Sequence, residues 1–234
     1  MIEKDTIIQE RINHVVTFLM WHHEIAPLRY PAAIFPLPPK ETDPVEAMAM
    51  VERETEGCQR CRLGKTRTKL VFGTGNVRAS IMFIGEGPGE DEDIRGIPFV
   101  GRAGQLLTKI IENGMRIPRA SVYIANIVKC RPPENREPLA DEAAACIGYL
   151  KKQISVVKPK VIVLLGKTAL KYLLGYEKMS IREAREQTFE YQGIPVFVTY
   201  HPSALLRNPA YKPHTWEDIK RVMKFLGLPI PSSK

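Results

Sequence analysis

At 234 residues, with 44% hydrophobic and 26% charged positions, the chain has the size and balance of one globular domain with a sizeable core and room for an appendage. No apolar run approaches the roughly 20 residues of a membrane span, and the N-terminus mixes both charge signs through its apolar positions, unlike a signal peptide; a cytoplasmic monomer without membrane contact is expected. The net charge of +8 divides into −3 over residues 1–50 and +11 over residues 51–234, so a polyanion such as nucleic acid suits the body of the chain and not its first 50 residues.

Ile8, Ile12, Val15, Val16 and Leu19 recur at helical spacing and predict an amphipathic helix over 5–25. The neighbouring His22 and His23 are read as surface polar residues rather than metal ligands. Six prolines between Ala26 and Pro44 exclude helix and sheet interior, so this stretch reads as an extended strap. It divides residues 1–45, an appendage, from a main domain over 46–234. A helical pattern from Pro44 to Glu56 then runs into Cys58-x2-Cys61.

Beyond that point, short apolar runs alternate with amphipathic stretches. The runs at 79–85, 122–128, 160–166 and 194–200 are β-rich and almost continuously apolar, as strands covered on both faces must be. Between them, 103–115, 139–157 and 167–175 carry helical patterns. The alternation predicts an α/β domain, three layers α/β/α, around a short central parallel sheet of about four strands. In such a sheet ligands bind beyond the carboxyl ends of the strands.

The four cysteines form one close pair, Cys58 and Cys61, then Cys130, then Cys146 after fifteen further residues. A fold that gathers them makes a tetrathiolate site for zinc or an iron–sulfur cluster; otherwise they are one redox pair and two buried thiols.

The strand ends carry the remaining chemistry. After the first strand, "GEGPGEDED" alternates Gly85, Gly87 and Gly89 around a proline that has no N–H, so it matches neither a dinucleotide fingerprint nor a Walker A loop. Gly87 instead permits close approach of a flat ligand to main-chain donors. Phe99, between Pro98 and a glycine-rich helix start, reads either as core or as a stacking platform for a base. Asn126 at the next strand end offers one acceptor and two donors, suited to a nucleobase edge or to tying down a loop. His201 precedes Pro202 and is held out of helical geometry at the mouth of the cleft. Ser203 and the backbone after it could hold a phosphate. Leu205 and Leu206, read as part of an exposed loop beside Arg207 and Asn208, suit a wedge between bases unless one of them closes the core.

Taken together, "GEGPGEDED…GIPFVGRAGQLL", "NIVKCRPPENREP", the four spaced cysteines and "HPSALLRNPAYK" resemble the family 4 uracil-DNA glycosylases, the iron–sulfur type found in thermophilic and other bacteria and in archaea. The resemblance runs from about residue 47 to 228 and leaves the appendage outside. It implies a DNA repair enzyme that flips uracil out of DNA and hydrolyses its N-glycosidic bond. It further implies that Gly85, Glu86 and Gly87 line the uracil, Phe99 stacks on the ring, Asn126 reads its N3 and O4 edge, and His201 donates to O2. Cys58, Cys61, Cys130 and Cys146 would bind a structural 4Fe-4S cluster. Glu86 and His201 are the expected catalytic residues, Glu86 orienting the pocket or water and Glu92 standing as a weaker second candidate. Ser203, Leu205, Leu206 and Arg207 are the expected DNA wedge and phosphate contacts, with Arg102 and Lys212 further phosphate candidates by position.

Overall fold

A computed structural model describes residues 42–231. The expected helix over 5–25, the strap up to residue 41 and the pair His22–His23 lie outside the described residues. The description begins at α1 (Pro44–Arg53), whose N-terminus is capped by the Asp43 carboxylate accepting from the Val45 N–H at 2.7 Å.

Four strands form the parallel centre of the sheet: β2 (Ile81–Gly85), β3 (Tyr123–Asn126), β4 (Val161–Leu165) and β6 (Ile194–Thr199). Two further strands, β1 (Thr74–Gly75) against β3 and β5 (Phe189–Tyr191) against β6, pair antiparallel at the edges. The sheet therefore has six strands in the order β1-β3-β2-β4-β6-β5, where the sequence predicts about four. The extra strands are two and three residues long and only partly covered, so they lack the continuous apolar signal of the central four.

The period-two alternation of the strands splits the core into two clusters. Met82, Ile84, Ala125, Ile162 and Leu164 face α1, α4 (Ala140–Val157) and α5 (Lys167–Leu174). Ile81, Phe83, Ile124, Val163 and Phe197 face α3 (Arg102–Lys109), its π-turn extension Ile110–Gly114, and α8 (Lys212–Phe225). Burying both faces accounts for the nearly unbroken apolar runs of these strands. Three shorter α-helices complete the set among the described residues: α2 (Glu90–Arg95), α6 (Ile181–Ala184) and α7 (Pro202–Arg207).

Strand order places the site. From β2 the chain steps first to β3 on one side and then to β4 on the other, so the connections diverge at the carboxyl end of β2 and open a crevice there. The register sets Gly85 opposite Asn126 and Leu165 opposite Thr199, which brings the four central strand ends level.

Candidate active site and thiol-lined recess

A cleft of about 630 Å³ opens beyond those strand ends, and Glu86, Gly87, Phe99, Asn126, His201 and Arg207 all line it. Gly85 lies beneath its floor: a Cβ there would stand 2.5 Å from Phe99 Cζ and 2.6 Å from Asn126 Oδ1. Only a glycine lets the aromatic ring and the amide approach each other across the end of β2.

Asn126 is 1% exposed, and its Oδ1 has no hydrogen-bond partner. A buried acceptor without a partner costs about 1–3 kcal/mol, which marks this oxygen as one able to accept from a donor brought by a ligand. Its own main-chain carbonyl accepts from Lys129 Nζ at 2.9 Å, and the same ammonium donates to Gln153 Oε1 at 2.6 Å. Burial pushes the Lys129 amine down to about 8.

His201 caps α7 in extended geometry, and its Nδ1 accepts from the Ser203 N–H at 3.2 Å and lies 2.8 Å from Ser203 Oγ. A main-chain N–H can only donate, so Nδ1 is the bare nitrogen and the proton resides on Nε2. Burial, reinforced by the Arg207 charge, pushes the imidazole down to about 4, which leaves a neutral ring with one N–H to give. Ser203 is thus engaged with His201 through both main chain and side chain, and Arg207 Nη1 lies 3.5 Å from its Oγ. The His201 and Phe99 rings lie 5.6 Å apart.

Glu86 accepts from Thr168 Oγ1 at 2.5 Å; burial raises its carboxyl above the usual range against the lowering effect of that bond. Arg136, inside the "NIVKCRPPENREP" run, Thr168, a hydroxyl three residues past the end of β4, and Tyr200, directly after β6, also line the cleft, and none is among the expected site residues. The acidic run beside the glycines has a local explanation. Glu90, Asp91, Glu92 and Asp93 form the first turn of α2, where the helix dipole favours negative charge. Glu92 accepts from the N–H groups of Gly89, Val100 and Gly101, and Asp93 accepts from Thr68 N–H with both oxygens. Glu92 also lines the cleft, but both its carboxylate oxygens are engaged with main-chain N–H groups, whereas the Glu86 carboxylate accepts from the Thr168 hydroxyl.

The expected wedge divides. Leu205 is 1% exposed and Leu206 39%. The segment is a helix rather than a loop, so successive residues point about 100° apart and one leucine must turn inward. Leu205 is a core residue, and only Leu206 and Arg207 remain outward. Arg102 and Lys212 are exposed and lie outside the cleft lining.

Cys58, Cys61, Cys130 and Cys146 line one recess, and none of them is paired in a disulfide. Among the described residues no three His, Cys, Asp or Glu side chains close on a single ion position; the sulfurs instead ring the recess. Donors converge on them: Arg67 Nη1 on Cys130 Sγ at 3.3 Å, Lys129 N–H on Cys146 Sγ at 3.3 Å and Tyr149 O–H on Cys58 Sγ at 3.4 Å. Burial pushes the Cys146 thiol up to about 11 and also raises Cys130, whereas Cys58 ends below its ordinary value because the Tyr149 bond and the Arg60 and Arg67 charges outweigh its burial. Cationic and N–H donors around a ring of four thiols are the surroundings that an anionic thiolate-bound cluster requires. Glu142, 0% exposed and one helical turn before Cys146 on α4, takes two guanidinium nitrogens of Arg136, a cleft residue, at 2.6 and 2.8 Å, and Arg62 Nε lies 3.8 Å away.

No helix among the described residues is long and apolar enough to cross a membrane. Residues 72–220 match the family model of the uracil DNA glycosylase superfamily. A type-4 uracil-DNA glycosylase of Thermotoga maritima is 45% identical over 185 residues, 77% of this chain and 95% of that protein. Type-4 uracil-DNA glycosylases of Sulfurisphaera tokodaii and Archaeoglobus fulgidus are 41% and 38% identical, covering 79% and 80% of this chain and 87% and 98% of theirs. With the strand-end cleft, the four gathered thiols and likeness on this scale, the chain belongs to the uracil-DNA glycosylase superfamily and, within it, to the type-4 group.

Proposed function

We propose that the cleft receives a uracil turned out of DNA and that the protein hydrolyses its N-glycosidic bond, leaving an abasic site. The open Oδ1 of Asn126 carries this reading, because uracil presents a donor at N3 where cytosine presents an acceptor. The side-chain amide N–H groups of Asn126 then face O4. Phe99 stacks on the ring, and Gly85, Glu86 and Gly87 form the wall beside it.

As the N1–C1′ bond breaks, its electron pair moves into the uracil and negative charge grows at O2. The Nε2–H of His201 donates to that oxygen. A neutral donor in a buried site stabilises the growing charge without having to lose its own proton. Glu86, steadied by Thr168, orients the water whose oxygen bonds to C1′; the water gives up one proton to this carboxylate, the departing uracil anion takes up a proton from solvent, and the carboxylate's negative charge favours the cationic sugar. Arg207 meets phosphate at the cleft mouth and Leu206 takes the space left by the extruded base. The +11 body, with catalysis assigned to residues 46–234, supplies the long-range attraction to DNA.

Cys58, Cys61, Cys130 and Cys146 would hold a 4Fe-4S cluster, which supplies cross-linking of the chain rather than electrons to the reaction. Its ligands would fasten the segment from Cys130 through Arg136, one wall of the cleft, to α4 and to the loop after α1.

The test is a single-uracil oligonucleotide incubated with the protein and then treated with alkali. Strand breaks that vanish with Asn126→Ala and His201→Ala are expected; an intact strand with the wild-type protein overturns the assignment. Broad visible absorbance with matching iron and labile sulfide supports the cluster, and zinc in their place excludes it.

A further inference from the structure

Phe99 adopts φ +54°, a left-handed conformation that is an outlier for a bulky residue. Such backbone persists only where the surroundings over-determine it. Here they act from three directions. Arg119, in the turn just before β3, donates through Nη2 to the carbonyls of Pro98 (2.9 Å) and Phe99 (3.1 Å), while its Nη1 donates to Thr108 Oγ1 at 2.9 Å. On the following peptides, Glu92 Oε1 accepts from Val100 N–H at 2.9 Å and Gly101 N–H at 2.8 Å. Beneath, α3 presents Gly104, where a Cβ would lie 1.9 Å from the Phe99 carbonyl carbon. Both carbonyls before the bend and both N–H groups after it are therefore bonded to side chains of opposite charge.

We propose that Glu92 and Arg119 are positioning residues that clamp the Phe99 bend and thereby set the tilt of its ring over the cleft, beside His201. The inference rests on the reading that Phe99 stacks on the substrate base. A ring displaced by about 1 Å would still fill core volume, yet it would lose its face-to-face relation to the base, and misplacement on that scale can cost on the order of 100-fold in rate.

The experiment is a double-mutant cycle in the full chain. Glu92→Gln, Arg119→Lys and Arg119→Met are made with Phe99 and with Phe99→Ala, and single-turnover excision is measured alongside the melting temperature of each variant. With Phe99 present, Arg119→Met and Glu92→Gln are expected to slow excision roughly 10- to 100-fold, with partial recovery for Arg119→Lys. In the Phe99→Ala background the same changes should alter the rate less than about twofold, because the clamp has nothing left to position. Equal losses in both backgrounds would reveal a general structural role and overturn the clamp, as would full activity of both Arg119→Met and Glu92→Gln with Phe99 in place. Wild-type excision by Phe99→Ala alone would instead overturn the stacking reading beneath it. Where Arg119→Met fails to fold, Arg119→Lys and Glu92→Gln, which keep size, decide the matter on the same readout.

Discussion

The Ser203 main-chain N–H and His201 Nδ1 stand 3.2 Å apart, and that one bond fixes which imidazole nitrogen carries the proton. It leaves Nε2–H as the donor, on a ring whose burial and whose neighbour Arg207 push its pKa down to about 4. An imidazole acting in its neutral form predicts a rate that passes level through pH 6.5, where an ordinary histidine titrates, and declines only toward pH 4. Stability should follow the same group. Because the folded pKa lies below the unfolded one, the unfolded chain takes up the proton first, so stability falls as pH drops from about 6.5 toward about 4. Single-turnover rates and urea midpoints across this range check both statements. A rate limb centred near pH 6.5 that disappears in His201→Gln would show that the ring works as a cation.

Asn126 should display activity and stability pulling apart. Its buried Oδ1 is unpaired in the free protein, so Asn126→Ala removes an orphan acceptor together with a little packing. The variant is expected to lose uracil excision by at least about 100-fold, yet to melt no lower than the parent. Parallel single-turnover and thermal measurements test this; a large fall in melting temperature would mean that the amide supports the fold.

Glu142, one helical turn before Cys146 on α4, holds Arg136 in the cleft wall. Arg136, bonding through two nitrogens, holds its carboxyl below the usual carboxylate range. That stabilisation is fully present above the unfolded carboxylate value, near 4.5, and is lost as pH falls through the lower folded value. Glu142→Gln should therefore cost about 1–3 kcal/mol at neutral pH, since it leaves Arg136 without its charged partner. The same variant should flatten the acid limb of the stability curve. Urea unfolding at neutral and acid pH would show it, and an unchanged midpoint at pH 7 would remove Glu142 from this role.

The central strands were legible because burial on both faces leaves only apolar, β-rich residues at 81–85, 123–126, 161–165 and 194–199. Strand-end position alone then drew Asn126 and His201 toward one another, although they lie 75 residues apart in the chain. What stayed hidden was whatever depends on contacts rather than pattern. Arg119 reaches the Phe99 bend from twenty residues away, through an ordinary arginine in an ordinary turn. Within the acidic run, the spacing from Gly89 to Glu92 is that of a helix start whose third residue reaches back to the cap, a relation that the charges alone do not announce. The helix α7 was read as a loop because six residues cannot display a full hydrophobic period, even with Pro202 at its first position.

That short helix supplies a contrast between two adjacent leucines of identical chemistry. Leu205 is 1% exposed, so Leu205→Ala opens a cavity and should lower stability by about 2–5 kcal/mol. Leu206 is 39% exposed and contributes little to the core, so Leu206→Ala should leave the urea midpoint nearly unchanged. Its cost should appear only when a base has to leave a stack. Excision from a duplex is expected to slow several-fold, while excision from a single strand, where extrusion is already cheap, should barely change. The ratio of duplex to single-strand rates is therefore the quantity to measure, at a temperature where both variants are folded. An equal loss on both substrates would make Leu206 a general contact residue rather than a wedge.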